Sequence, residues 1–282
     1  MTHSTIHVRR TKTALTYLLL TTVAALFAAP LLFMIAASFK PDERVLTDGS
    51  SWRALWPVQA SVDNYADVFA RVDFVQYLLN SLLVTTAVVL FGLAVNSMAG
   101  YAFARLEWRG RRLAFAGVLM VLILPFEAIA VPLFYQVTSW GWRDSYHVQI
   151  VPFIASALSI YLFYTFFAAL PRELEEAARV DGAGPWRIYL RIIIPASKPA
   201  FATVAILTFL TQWGSFLWPV MVTSGETYRP LPVAISSFKT LPPLQWGDTM
   251  AFGVLMVIPV LLVFLFFQRW FISSVAATGL KG

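Results

Sequence analysis

The sequence has no cysteine and little charge. None of its 282 residues is cysteine, which excludes disulfide bonds, a thiolate nucleophile and a cysteine metal site. Charged residues make up 13% of the chain and hydrophobic residues 59%, whereas a soluble domain carries roughly 25% charged residues. This composition predicts an integral membrane protein in which one membrane domain accounts for the whole length.

Motifs for catalysis are also missing from the sequence. There is no GxxxxGK[ST] phosphate loop, no HExxH and no GxSxG. The three histidines, His3, His7 and His147, are interpreted as surface or terminal residues, so we expect neither a metal site nor enzyme activity in this chain. The net charge of +6 is attributed to a basic cytoplasmic face, and we expect no binding of nucleic acid.

Six apolar segments predict an all-α protein, a polytopic bundle of six transmembrane helices. The first segment is too long for a secretory signal core and no clear cleavage site follows it, so it is interpreted as an uncleaved span. Residues 1–13 and 273–282 form the predicted N-terminus and C-terminal tail. The predicted spans are about 14–37, 76–99, 113–138, 147–169, 200–222 and 250–272.

The distribution of basic residues predicts the orientation of these spans. Six spans place both termini on one side of the membrane. If that side is cytoplasmic, 14 of the 21 Lys and Arg residues lie inside and 7 outside. The segment 105–112 alone carries four arginines. Because short cytoplasmic loops are rich in Lys and Arg, we expect both termini and the loop 171–199 to be cytoplasmic.

The loop 171–199 is a polar interruption with nine charged residues between two apolar runs. Its first half predicts a short helix on which Leu174, Ala177 and Ala178 share one face. Gly182 is expected to end this helix, because glycine tolerates the left-handed conformation needed there.

A second short helix is predicted in the same loop. It is expected to begin at Gly184-Pro185 and to be interrupted by Pro195, which cannot donate a backbone hydrogen bond. Two short helices joined by a sharp turn between membrane spans indicate a docking surface. The alternative is an ordinary amphipathic connector.

The residues of this loop resemble a known motif. Glu176-Ala177-Ala178, Gly182 and the segment 192–195, Ile-Ile-Ile-Pro, are similar to the EAA motif of membrane subunits of ATP-binding-cassette (ABC) importers. The family usually has Leu at the position of Ile194. In the family this cytoplasmic loop fits a cleft on the ATPase subunit. The resemblance implies that the residues of this chain that couple it to an ATPase are Glu176, Ala177, Ala178, Asp181, Gly182 and Pro195.

Glu176 is expected to pair with a basic group in the ATPase cleft. A local alternative exists, because Arg172 lies four residues earlier and can pair with Glu176 on the helix surface. Such a local contact contributes only about 0.2–0.5 kcal/mol to helix stability.

Further matches extend the resemblance over nearly the whole chain. Asn80-Ser81, the segment 100–105 (Gly-Tyr-Ala-Phe-Ala-Arg) and Leu231-Pro232-Val233 are similar to carbohydrate importer permeases, most of all the second permease subunit of the maltose and glycerol-3-phosphate importers. The tail is also similar, which implies that Gly279 and Lys281 reach the ATPase dimer.

This resemblance implies a type I ABC importer permease with a cytoplasmic coupling helix, in a bacterial plasma (inner) membrane. It implies as partners a second permease subunit in a heterodimer, two ATPase subunits, an extracytoplasmic solute-binding protein, membrane lipid and a sugar-like solute. ATP and Mg²⁺ are expected on the ATPases, and no cofactor is expected on this chain.

A path for the solute is predicted from polar groups within the spans. Glu127 is the only acid well inside a predicted span, where an ionisable group indicates function. The alternative is that Glu127 is hydrated near the outer end of its span. The fifth span adds Thr211, Gln212, Trp213, Ser215 and Trp218, whose alternative role is packing between helices. The maltose-type subgroup often has Asn after the first of these tryptophans. Here Gly214 follows Trp213, so the resemblance does not extend to the subgroup's solute contacts.

Two other classes of protein fit the sequence less well. A secondary transporter driven by an ion gradient commonly uses several intramembrane charges and structural repeats, and this sequence has one such charge and no visible repeat. A membrane enzyme is disfavoured because the sequence lacks a catalytic constellation.

Overall fold

A computed structural model describes residues 2–279, apart from the side chains of residues 2–12, Ser237 and 268–279. Every regular element within this range is helical. A 3₁₀ turn covers Trp52–Leu55 and a π turn covers Tyr189–Ile193. The α-helices are α1 (Thr2–Ser38), α2 (Asp42–Thr47), α3 (Asp63–Arg71), α4 (Phe74–Arg105), α5 (Arg111–Val121), α6 (Phe126–Ser139), α7 (Tyr146–Ile154), α8 (Ala157–Ala169), α9 (Glu173–Val180), α10 (Pro185–Ile188), α11 (Ile194–Ala196), α12 (Lys198–Trp213), α13 (Leu217–Val222), α14 (Leu231–Phe238) and α15 (Trp246–Gly279).

Four helical stretches are long and apolar enough to cross a membrane, and two bent helix pairs raise the number to six if each counts as one span. The four stretches are Thr13–Ser38, Phe74–Arg105, Tyr146–Ala169 and Trp246–Phe267. The fold is therefore the all-α membrane bundle that the sequence predicts. The first helix begins at Thr2 and so continues through the predicted N-terminal segment, which contains neither Gly nor Pro to stop it.

The predicted third span, 113–138, is not one continuous helix. It consists of α5 and α6, which meet at an angle of 101°. Pro125 stands at the N-cap of α6 with an extended backbone (ψ 142°). Proline lacks a donor N–H and disfavours helical geometry in the residue before it, so α5 does not continue into α6. As a consequence Glu127 lies in the first turn of α6 and is exposed, rather than in the middle of a long helix.

The predicted fifth span, 200–222, is also divided. Helix α12 ends at Trp213, and α13 begins only at Leu217. The bend before α12, 78°, falls after Ala196 and not at Pro195, so the expected interruption at Pro195 is wrong. Pro195 occupies one of the first two positions of α11, where a missing N–H costs nothing, and the π turn before it widens the helix.

The chain divides into two compact units, of which the first contains residues 1–73 and 235–257. Arg71, at the end of α3, organises this unit. Its guanidinium lies 2.8 Å from the carboxylate of Asp248 and donates to the Gln245 side chain at 2.9 Å. Lys40 is almost completely buried in the same unit and pairs with Asp48 at 3.4 Å. These charged contacts hold α3 and the loop that follows α1 in a compact structure.

The second unit contains residues 74–234 and 258–282 and is organised around α4. Helix α4 packs against α7, α8 and α12. The two helices α4 and α8 approach closely at Gly100, where an added Cβ would lie 2.5 Å from the Cβ of Phe163. At this end of α4 an aromatic core is buried, which includes Tyr101, Phe163, Phe167 and Tyr189. This core positions the loop 171–199, because Ala178 and Ala183 of that loop pack against it.

Candidate functional site

The first helix of the loop 171–199 ends in a glycine turn. Gly182 has a φ of 76°, the left-handed conformation expected of a glycine that ends a helix. The N–H of Gly182 donates to Arg179 O at 3.0 Å, and the N–H of Ala183 donates to Ala178 O at 2.9 Å. These two bonds form a Schellman motif, which fixes where α9 stops and where the chain turns towards α10.

The side of α9 that faces the protein carries a charge. Glu175 is buried, and its carboxylate lies 3.2 Å from the guanidinium of Arg105, at the end of α4. The two side chains are only 5% and 3% exposed. Arg105 also donates to the backbone carbonyls of Phe167 and Leu170, where α8 ends. One guanidinium therefore joins the ends of two spans to α9.

The predicted apolar face of α9 is shifted in the structure. Leu174 is 47% exposed and Ala177 is exposed, whereas Glu175 and part of Ala178 face the protein. The shift follows from Arg105, because a buried guanidinium requires a carboxylate opposite it and draws Glu175 inwards. Arg105 and Glu175 were not among the functional residues that the sequence predicts. The feature of the sequence that could have identified Arg105 is its place directly at the end of an apolar span.

The outward side of α9 carries Glu176, which is exposed together with Ala177. In the described part of the chain no ion pair joins Glu176 to Arg172, so the local alternative for Glu176 is not seen. Val180 is 88% exposed and Trp186, in α10, is 63% exposed. An acidic side chain flanked by exposed apolar groups is a surface that can bind another protein.

The remaining predicted residues of this loop lie on the same short segment. Asp181 caps the end of α9 and is exposed, and Pro195 is exposed on α11. Of the predicted tail residues, Gly279 is the last residue of α15, and Lys281 lies outside the described residues.

A second candidate site is a cleft of about 280 Å³ lined by residues of α4, α6, α7, α8 and α12. Its walls are mostly apolar, with a few hydroxyl and amide groups. Thr211 and Gln212 both line it, and Gln212 makes no side-chain hydrogen bond within the described part of the chain. Mostly apolar walls with a few free polar groups are typical of sites for small molecules.

The other residues of the predicted solute path lie elsewhere. Trp213 is buried and stacks on Phe209 with ring centroids 5.4 Å apart. Trp218 is buried and donates its indole N–H to Val148 O at 2.8 Å, which matches the packing alternative for this residue. Ser215 lines a separate space of about 10 Å³ together with Gln212 and Trp218. Glu127 is absent from the lining of the cleft, although its neighbours Phe126 and Ile129 contribute to it.

Two motifs quoted for the resemblance meet in space. The hydroxyl of Ser81 accepts a hydrogen bond from the backbone N–H of Leu231 at 2.8 Å. Asn80 donates to the carbonyls of Thr227 and Arg229, both at 2.9 Å. These contacts fasten the segment before α14 to the beginning of α4.

A related contact joins the loop between α6 and α7 to the segment that follows α13. The carboxylate of Asp144 accepts hydrogen bonds from the backbone N–H and the hydroxyl of Ser224, at 2.6 and 2.8 Å. The bond from the backbone N–H is the main reason why the pKa of Asp144 is lowered from its usual value. The carboxylate therefore stays ionised at lower pH than an ordinary aspartate does.

Comparison with known proteins identifies the family. Residues 96–277 match the family described as the binding-protein-dependent transport system inner membrane component. The chain belongs to this family. The permease is thus a membrane component of a transport system, and the match excludes the alternative of an ion-coupled secondary transporter.

Individual relatives cover almost the whole permease. It is 31% identical to the arabinooligosaccharides transport system permease protein AraQ of Halalkalibacterium halodurans, over 97% of this chain and 99% of that protein. It is 32% identical to the diacetylchitobiose uptake system permease protein NgcG of Streptomyces coelicolor, over 93% and 87%. It is also 32% identical to the trehalose/maltose transport system permease protein MalG of Thermococcus litoralis, over 90% and 91%.

The fold of the permease is found in solved structures. A chain of a bacterial ABC transporter involved in the import of the acidic polysaccharide alginate has a TM-score of 0.82, at 23% identity, with 93% of this chain and 97% of that chain covered. A chain of the MetNI methionine ABC transporter has a TM-score of 0.54, at 21% identity, with 70% and 93% covered. The permease therefore shares its fold with chains of these ABC transporters.

Proposed function

We propose that this permease imports a sugar or a sugar derivative as one of two membrane subunits, and that ATP hydrolysis by separate ATPase subunits drives the transport. The sugar class is supported by relatives named for arabinooligosaccharides, diacetylchitobiose and trehalose/maltose. The proposed partners are a second permease, two ATPases that bind ATP and Mg²⁺, and an extracytoplasmic solute-binding protein. The permease contributes a path and a coupling surface, and no catalytic group is assigned to it.

One observation carries the coupling role. Helix α9 presents Glu176 and Ala177 to the outside, while Glu175 and Ala178 hold its other side against the protein. A partner can therefore bind to one side of α9 and exert force on a helix that is attached on the other. We propose that Glu176, Ala177, Ala178, Asp181, Gly182 and Pro195 contribute to this coupling surface, as the EAA resemblance implies. The tail residues Gly279 and Lys281 are proposed to contact the ATPases as well.

The proposed location is the inner membrane of a bacterium, with both termini and the loop 171–199 in the cytoplasm. The excess of basic residues on that side, 14 against 7, supports this orientation. The proposed solute path includes the cleft beside Thr211 and Gln212, because its polar groups suit the hydroxyl groups of a sugar. Glu127, Trp213, Ser215 and Trp218 remain candidates for the path, and the two tryptophans have packing roles of their own.

The test uses the complete complex in proteoliposomes, with the solute-binding protein outside and ATP inside. The probes are radiolabelled arabino-oligosaccharides, diacetylchitobiose, trehalose and maltose. We expect uptake of at least one probe that depends on internal ATP. Uptake that needs no ATP and collapses when an ionophore dissipates the ion gradients would contradict the proposal.

Two substitutions make the test specific. Glu176→Ala should abolish uptake or release the ATPases, because a buried charge in the ATPase cleft loses its partner, at a cost of about 3–5 kcal/mol. The matched control is Glu173→Gln, another exposed acid of α9 that lies outside the proposed coupling set. Gln212→Ala should reduce the affinity for the transported probe while the ATPases stay bound. Uptake by Glu176→Ala within about twofold of the wild type, roughly 0.4 kcal/mol, rules out a coupling role for that residue.

A further inference from the structure

We propose that the ion pair between Arg105 and Glu175 is the link through which a displacement of α9 moves the membrane spans, so that both side chains are positioning residues for coupling. The inference rests on the proposed function, because it assumes that an ATPase moves α9. It adds a specific attachment point on the side of α9 that faces away from the ATPase.

The burial of the pair is the first argument. A charge pair that is 3% and 5% exposed has lost most of its hydration, so neither partner is tolerated without the other. An exposed pair on a helix surface contributes almost nothing by comparison. Arg179 adds a second positive group 3.5 Å from Glu175, but its side chain is 56% exposed and belongs to α9 itself. Arg105 is therefore the partner that connects α9 to the rest of the protein.

The position of Arg105 is the second argument. It is the last residue of α4, the helix around which the second unit packs. Its Nη2 group donates to both Phe167 O and Leu170 O, two carbonyls at the C-terminal end of α8. Force applied to Glu175 thus reaches two spans through one rigid, planar guanidinium.

The scarcity of other contacts on α9 is the third argument. Leu174, Ala177 and Val180 are exposed, and Ala178 is the apolar side chain of α9 that packs on the aromatic core. A single methyl group buries little area and is a weak attachment. Without the ion pair, α9 would remain covalently tied to the chain but would be free to shift against α4 and α8.

The cleft offers a readout that is independent of the solute. The chain has no cysteine, so a single Leu158→Cys, on the cleft wall in α8, gives one site for a maleimide. The Leu158→Cys permease, otherwise wild type, is assembled with its partner permease and ATPases in nanodiscs. Labelling is timed without nucleotide and with ATP and vanadate. If nucleotide shifts the cleft from mostly open to mostly closed, the labelling rate changes by about tenfold.

Glu175→Gln is the decisive variant, because it keeps the shape of the side chain and removes its charge. We expect the ATPases to stay bound and to hydrolyse ATP within about twofold of the wild-type rate. The labelling rate of Cys at position 158 should no longer respond to nucleotide. Because Gln leaves the buried charge of Arg105 without its partner, the yield of the complex is expected to fall in either case. The nucleotide response of the assembled fraction decides, since a purely structural role of the pair would leave that response intact.

Two more variants separate the pair from general effects of charge. Arg105→Met should lose the response, and adding Glu175→Leu to it should restore part of the response, because two apolar side chains replace an uncompensated buried carboxylate. Arg109→Met is the matched control, since Arg109 is an exposed arginine of the same loop.

The outcomes distinguish this inference from the proposed function. If the wild type responds to nucleotide and Glu175→Gln responds equally, the inference is overturned and the proposed function stands. An equal loss in Arg109→Met also overturns the inference. If the wild type neither retains ATPases nor responds to nucleotide, the proposed function fails and the inference fails with it.

Discussion

Asn96, in the second half of α4, bridges the break between α7 and α8. Its side-chain oxygen accepts a hydrogen bond from the N–H of Ser156, and its amide donates to Ile154 O, both at 2.9 Å. Pro152 lies one turn before the break and removes a donor from the helix. In a membrane no water satisfies such backbone groups, so another helix must supply the partners.

Asn96→Leu is expected to destabilise the permease. The substitution leaves one N–H and one carbonyl without partners, at about 1–3 kcal/mol each. Thermal unfolding in detergent measures the loss. Thr22→Val on α1 is the control, because the exposed hydroxyl of Thr22 bonds only within its own helix and its removal should change stability by no more than about 0.5 kcal/mol. Equal thermal unfolding midpoints for the two variants would show that the hydrogen bonds of Asn96 at the break between α7 and α8 do not stabilise the permease.

Gly100→Ala is expected to disturb the packing of α4 against α8. The new methyl group would lie 2.5 Å from the Cβ of Phe163, so one of the helices must shift. Overpacking of this kind costs about 1–3 kcal/mol. The control is Gly117→Ala in α5, where nothing lies within 4 Å of the added Cβ. That change should be neutral or stabilise the helix by about 0.5–1 kcal/mol. The prediction is wrong if both variants melt at the wild-type temperature.

Gly182→Ala is expected to distort the turn that ends α9. An added Cβ meets no atom within 4 Å, but the φ of 76° remains, which costs an alanine about 1–2 kcal/mol. Gly184→Ala is a matched control, because it has equal space and a φ of −74°. Hydrogen exchange of α9 should become faster in Gly182→Ala alone, and retention of the ATPases should fall in parallel. Similar exchange in both variants would argue against a required left-handed turn.

The orientation of the spans can be tested with single cysteines in intact cells. Ser50→Cys should react with an impermeant maleimide, whereas Arg112→Cys and Lys198→Cys should react only after the cells are permeabilised. All three positions are exposed, so the side of the membrane decides the result. Reaction at position 112 or 198 in intact cells, without reaction at position 50, would reverse the proposed topology.

The sequence predicted much of the fold because the composition of each segment depends on whether lipid or water surrounds it. Long apolar runs predict the spans, and the arginines at 105–112 mark one side of the membrane. Gly182 predicts its turn from local chemistry alone, and the structure has the left-handed φ there. The breaks in the spans were not predicted, although Pro125 stood in the sequence, because hydropathy averages over a window and does not register a change of direction.

What the sequence by itself determined is therefore local: the class of protein, the approximate spans, and a charged loop with a turn at a known residue. The tertiary structure decided which charges meet. Arg105 and Glu175 are 70 positions apart along the chain, and their pairing shifts the buried face of α9 away from the one that periodicity predicts. Likewise Ser81 meets Leu231 only through the packed bundle. Such contacts depend on how the whole chain folds, which no local pattern of residues predicts.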